Sequence, residues 1–211
     1  MKLYEYFRSS ASYRVRIALN LKRQTAEAVQ IHLLRNGGEQ FAPAFRAINP
    51  QARVPALVLN DGATLIQSPA ILEWLEETYP EPPLLPRDPV ARARIRAMAA
   101  LIACDIHPLN NLAVLAYLRD KFGQDEAAIG TWYRHWIALG FEALEQLVSA
   151  PFADGATLTL ADVYLVPQVA NARRQKLDLA PFPRIEAIEQ ACLALKPFAD
   201  ARPEAQKAAS L

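Results

Sequence analysis

The chain has 211 residues, 52% of them hydrophobic, and 23 Lys and Arg stand against 22 Asp and Glu for a formal net charge of +1. That length fits one large domain or two modest ones, and the apolar content supplies a sizeable core and excludes wholesale disorder. A near-neutral balance creates no general field for nucleic acid or an anionic membrane, so any anion must be recognised locally.

The first eighty residues mix two periods. Residues 3–7 read as a strand, and Ser10–Leu21 as a helix with Tyr13, Ile17 and Leu21 on one row and Val15, Ala18 and Leu19 beside it. Strands are predicted at 27–31, 56–59 and 64–66, the last two joined by an Asp61-Gly62 hairpin, and a helix over 68–79 closes the segment. The β-α-β opening requires a right-handed crossover.

Five prolines fall in the ten residues from Pro80 to Pro89, a stiff extended linker. Beyond it strand signals vanish, and helices are predicted over 91–121, 126–148, 160–174 and 184–195. Pro108 predicts a kink near 105–108, and Thr159-Leu160-Ala161-Asp162 fits a capping box that starts a helix. The expected architecture is therefore a small α/β domain, 1–82, joined to an all-helical domain, 88–211.

Cys104 and Cys192 are far apart, each in a helical stretch, without CxxC or metal-ligand spacing. Both read as buried inert thiols, and no metal site is expected. The N-terminus is strand-like, and no uninterrupted apolar run approaches ~18 residues. The expectation is a soluble cytoplasmic protein with no membrane partner.

Neither a G-x-G-x-x-G pattern nor a Ser-His-Asp arrangement is legible. His32 and His135 read as structural, while His107 precedes the kink proline. More chemistry gathers at the strand-to-helix junction Arg8-Ser9-Ser10. If Ser9 or Ser10 caps the helix, hydroxyls and first-turn amides converge where a helix carries about half a positive charge, and Arg8 adds a full one. The plain alternative is an N-cap and nothing more. A second such junction is Gln67-Ser68-Pro69, read with Ser68 as N-cap and Pro69 as the first helical residue. Between them Val54-Pro55 precedes a strand, which leaves the backbone of Val54 to a ligand.

These junctions resemble the thioredoxin-like domain of glutathione transferases. The resemblance implies a cis Val54-Pro55 bond whose preceding backbone pairs with the cysteinyl part of glutathione, and a Gln67-Ser68 pair that receives the γ-glutamyl carboxylate. The match narrows with "SSASYRVRIALNLK", "IQSPAILEWLEETYP", "DIHPLNNLAVL" and "TLADVYLVPQVANARR", which together resemble the zeta class across nearly the whole chain. That class is best known for maleylacetoacetate isomerase, a step of aromatic amino-acid degradation, with maleylpyruvate isomerase as a close relative. Glutathione is then the cofactor. Its thiolate adds to the cis double bond of a small dicarboxylate keto acid, allows rotation and is eliminated.

Carried over residue by residue, Ser9 would donate to the sulfur, with Ser10 as helper and N-cap. Gln40, Arg53, Val54, Gln67, Ser68, His107 and Asn111 would hold glutathione, His107 and Asn111 sharing one helix face. Arg8 and Arg174 would hold the substrate carboxylates in a cleft between the domains; Arg173 and Lys176 are the solvated alternatives. The family has cysteine after the two serines, and here Ala11 stands there. The family also implies a homodimer. The rival readings are a detoxifying transferase and a non-enzymatic binding protein on the same fold.

Overall fold

The computed structural model describes residues 1–210, with side chains described through Ala208. By internal packing the chain divides at Pro83–Leu84 into two compact units, and the segment from Ala194 onward belongs with the first.

In the first unit, β1 (Lys2–Glu5) leads to α1 (Ser10–Leu21), β2 (Glu27–Gln30), a short α2 (Pro43–Arg46), β3 (Ala56–Val58), β4 (Thr64–Ile66) and α3 (Ser68–Thr78). The sheet order is β2-β1-β3-β4, with β1 parallel to β2 and antiparallel to β3, and β3 antiparallel to β4. The β3–β4 hairpin turns at Gly62, whose φ of 89° suits glycine, and the Asp61 carboxylate accepts the Ala63 N–H at 3.0 Å.

β1 is shorter than its apolar run suggests. It ends at Glu5, whose buried carboxylate accepts from Arg16 at 2.5 Å and from the Gln30 amide at 2.9 Å. Arg16 also donates to the carbonyl of Phe7 at 3.0 Å, and the Ser9 N–H reaches back to Tyr6 at 2.9 Å. Residues 6–9 therefore form a turn rather than a strand end. Nearly all of α1 is buried, Arg14 and Arg16 included, because its charged face meets partners instead of water. At its far end Lys22 donates to Glu76 of α3 at 2.5 Å and to the Pro82 carbonyl at 2.7 Å.

The second unit contains α4 (Pro89–Ala100), α5 (Leu112–Phe122), α6 (Glu126–Leu147), α7 (Leu160–Arg174) and α8 (Pro183–Leu193). The expected kink proves to be a break. After α4 the backbone runs as a π-turn over Leu101–Ile106 and a 3-10 turn over Pro108–Asn110, and Asn111 is extended before α5 starts. By length and composition the stretch Pro89–Phe122 is apolar enough to cross a membrane. These interruptions divide it, so it is no single helix. The capping box at 159–162 forms: Asp162 accepts the Thr159 N–H at 2.7 Å and its hydroxyl at 3.0 Å, and its other oxygen takes the Ala153 N–H at 2.7 Å. Burial raises the Asp162 pKa against these bonds and, with the Asp162 charge, pushes the fully buried Cys192 thiol up. Cys192 is thus inert as expected, whereas Cys104 is exposed rather than buried.

The helical part does not keep the C-terminal residues expected of it. A short α9 (Lys196–Ala199) packs on α1, with Phe198 fully buried and the Ala201 carbonyl accepting from Arg16 at 2.9 Å. The physical reason is that Arg16 and Phe198 find their burial in the first unit.

Gly140 of α6 faces the π-turn so closely that a Cβ there would collide with the buried Ile106 side chain. Helix propensity alone predicts that Gly140→Ala adds about 1 kcal/mol. Overpacking costs about 1–3 kcal/mol, so the net effect should be a lower Tm in thermal unfolding followed by circular dichroism. A rise in Tm would mean that Ile106 moves aside freely.

Candidate active site

The start of α1 carries the first group of predicted site residues. Ser9 is the N-cap, in extended conformation, and its Oγ accepts the Ser12 N–H at 3.2 Å. A hydroxyl that accepts one bond still has its own proton to donate. Ser10 is not the cap expected; it is the first helical residue and is buried. Arg8 projects from the preceding turn, exposed, over the Phe7 ring at 5.2 Å, and meets no carboxylate among the described residues. No acidic residue sits in the first turn, so nothing there cancels the partial charge of the helix end.

The second group surrounds the start of α3. The N-cap is Gln67, with φ 68°, and Ser68 is the first helical residue with Pro69 after it, one position later than the sequence pattern suggests. Among the described residues no side chain caps this helix, so the N–H groups of Ser68 and Ala70, Pro69 having none, remain available to an anion. A left-handed φ at a non-glycine residue is strained, and such strain gathers at binding sites. Ser68 is buried and accepts from Arg14 of α1 at 3.4 Å, which places a buried guanidinium beside the helix end. Sequence reasoning missed Arg14 because a charge on an amphipathic helix reads as solvated. Its only signal was its place among the apolar rows of α1.

Hydrogen bonds tie the loop before β3 to this group through Gln51 and steady the backbone at Arg53. The Gln67 amide donates to Gln51 at 2.6 Å, and buried Asn49 donates to the Arg53 carbonyl at 2.6 Å. The Val54-Pro55 bond is cis, and Val54 lies just outside the paired register of β3. Gln40 stands on a separate loop, buried against Gly38, with its Oε1 unpartnered among the described residues. An uncapped helix end, a buried arginine, an orphaned amide oxygen and a turn before β3 suit the carboxylates and peptide groups of a peptide-like ligand.

The remaining predicted residues lie in the helical unit. His107 follows the π-turn, half-buried. Asn111 does not share a helix face with it: Asn111 is the N-cap of α5, and its side-chain oxygen accepts the Ala113 N–H at 3.0 Å. Its neighbour Asn110 is the buried one and donates to the Tyr133 carbonyl at 3.2 Å. Arg174, exposed at the end of α7, donates to Asn171 Oδ1 one turn back. It also bears on the buried Tyr133 phenol, whose pKa burial raises while the charge and hydrogen bond of Arg174 pull it down. Arg173 is occupied, with bonds of 2.6 Å to Glu189 and 3.2 Å to Glu186 that raise its pKa. His32 Nδ1 accepts two backbone amides, and His135 meets the Trp136 ring edge-to-face, so both are held in structural contacts.

Residues 3–83 match the glutathione S-transferase N-terminal domain. Over 98% of both chains the sequence is 52% identical to maleylpyruvate isomerase of a Ralstonia species. It is 49% identical to maleylacetoacetate isomerase of Pseudomonas aeruginosa, over 98% of this chain and 97% of that one. Among solved structures, a holo maleylpyruvate isomerase, a bacterial glutathione transferase of the zeta class, is 51% identical, with TM-score 0.94 over 98% of this chain and 99% of that one. Maleylacetoacetate isomerase of Methylobacterium extorquens, with bound malonate and glutathione, is 39% identical with TM-score 0.93 over 99% of each chain. The chain belongs to the glutathione transferase family. Within it the chain falls in the zeta class, among the maleylacetoacetate and maleylpyruvate isomerases.

The strain at Gln67 gives a prediction independent of ligand. Gln67→Gly should leave equilibrium stability unchanged or raise it by up to about 1 kcal/mol in urea unfolding, because glycine adopts this φ freely. A loss greater than that would show that the bond to Gln51 holds the loop.

Proposed function

We propose that this protein is a glutathione-dependent cis–trans isomerase of a maleyl keto acid, maleylacetoacetate or maleylpyruvate. The observation that carries the reading is a capping hydroxyl, Ser9, with its own proton still to donate, in a chain that also keeps two arginines, Arg8 and Arg174, that no carboxylate neutralises among the described residues. A protein of net charge +1 has no general field for a dianion, so cations left open in this way fit a small dicarboxylate better than an uncharged electrophile.

The glutathione-binding residues in this reading are Gln67 and Ser68, with Arg14 beside them, for the γ-glutamyl carboxylate, and the Val54 backbone for the cysteinyl peptide group. Gln40, Arg53, His107 and Asn111 complete the set. When bound, glutathione supplies the thiolate that adds to the cis double bond and leaves after rotation. Ser9 donates its hydroxyl proton in a hydrogen bond to the sulfur and so favours the ionised form, helped by the partial positive charge of α1. Ser10, buried, supports the backbone of that turn. Arg8 and Arg174 bind the two carboxylates of the keto acid and orient its double bond. Ala11 contributes no thiol, so the sulfur is the cofactor's. The family resemblance further supports a cytoplasmic enzyme acting as a homodimer, and sedimentation at twice the chain mass is the expected outcome.

Ser9→Ala should lower the isomerisation rate at least tenfold with the fold intact, since a hydrogen bond to a charged group is worth about 1.5–3 kcal/mol. An unchanged rate would move the donor role to Ser10 or the backbone. Absorbance assays with maleylacetoacetate and maleylpyruvate, each with and without glutathione, should show turnover only with glutathione. Turnover of neither acid, with conjugation of uncharged electrophiles intact, would replace this reading with the detoxifying one.

A further inference from the structure

Two adjacent arginines end α7, and the structure treats them oppositely. Arg173 lies against two carboxylates, Glu186 and Glu189, so its charge is answered within the protein. Arg174 is held by the amide oxygen of Asn171, a neutral acceptor. Asn171 is itself buried, 4% exposed, and one turn before Arg174 on the same face of the helix. The second group that Arg174 meets, the Tyr133 hydroxyl, is neutral as well, and Tyr133 is fixed at its carbonyl by Asn110.

We propose that Asn171 is a positioning residue, holding the Arg174 guanidinium in a fixed orientation for a substrate carboxylate while leaving its positive charge undiminished. A long, exposed arginine has many rotamers, and each one frozen before binding is a cost removed from substrate capture. A carboxylate in the place of Asn171 would hold the guanidinium as well or better, yet would compete with the substrate for it. An amide holds without competing. A guanidinium has five N–H donors, so a bond to Asn171 leaves others to form the fork that a carboxylate needs.

This inference rests on the reading of Arg174 as a substrate cation. It is tested by steady-state kinetics with maleylpyruvate and glutathione on Asn171→Asp, Asn171→Ala, Arg174→Ala and the two double variants. Each variant is also assayed for conjugation of an uncharged chloronitrobenzene. Asn171→Asp, nearly isosteric, should raise KM for maleylpyruvate roughly tenfold and leave the uncharged reaction alone. Asn171→Ala, which keeps the helix, should raise it about three- to tenfold. In the Arg174→Ala background neither change should add anything, because nothing remains to be positioned. A merely structural role for Asn171 predicts that Asn171→Asp, which keeps the bond to Arg174, leaves KM unchanged; that result overturns the inference. Should the Asn171→Asp protein fail to fold, an Asn171→Ala protein with wild-type KM overturns it equally. Equal losses on the charged and uncharged substrates also overturn it. If Arg174→Ala itself leaves maleylpyruvate turnover intact, the reading of Arg174 falls and the inference with it.

Discussion

The buried ion pair between Arg16 and Glu5 is the constraint on which the turn that carries Ser9 depends. Glu5 ends β1 and also accepts from Gln30 of β2, while Arg16 gives its other donors to the carbonyls of Phe7 and Ala201. One guanidinium thus ties together the first strand, the turn that follows it, α1 and the C-terminal segment. Removing either charge would leave the other buried without a partner, at a cost of about 3–5 kcal/mol. The local result is that residues 6–9 are held in a turn, and Ser9 sits where its oxygen caps α1.

A single physical contrast runs through both units. Cations that build the fold are answered by carboxylates: Arg16 by Glu5, Lys22 by Glu76, Arg173 by Glu189. Arg8 lies over a ring, and Arg174 is held by an amide. Neutral support orients a charge without cancelling it, which is what the proposed binding of a substrate carboxylate asks of both arginines. The start of α3 is likewise open in the backbone, since no side-chain cap bond is made there among the described residues.

Much of this was legible in the sequence, because the signals were local. Periodicity placed α1 and α7 to the residue, the Asp61-Gly62 pair marked the hairpin, and Thr159 with Asp162 marked the capping box. What stayed hidden depended on tertiary partners. Glu5 shortens β1 because Arg16 reaches it across the fold, and no alternation of apolar residues records that. Arg14 drew no reading from the sequence, because only the fold sets it beside Ser68. The caps slipped by one residue at Ser9 and at Gln67, since Ser, Gln and a following Pro are compatible with either register. Pro108 was recognised as an interruption, but a π-turn, a 3-10 turn and an extended Asn111 were beyond what a single proline announces. The roles of Gln40, His107 and Arg174 came from the family resemblance, as spacing alone does not distinguish Arg174 from Arg173.

In the proposed function, turnover depends on the corner formed by Ser9 and the start of α1 lowering the pKa of a bound thiol. Arginines that hold carboxylates cannot substitute for it, because orientation is of no use without an ionised nucleophile. The most direct measurement is an ultraviolet titration of the thiolate of glutathione bound to the wild-type enzyme, against free glutathione in the same buffer. A free thiol ionises with a pKa of about 8.5, and the apparent value on the protein should be lower by about one unit or more. A bound thiol that ionises at the same pH as the free one, or higher, would contradict it.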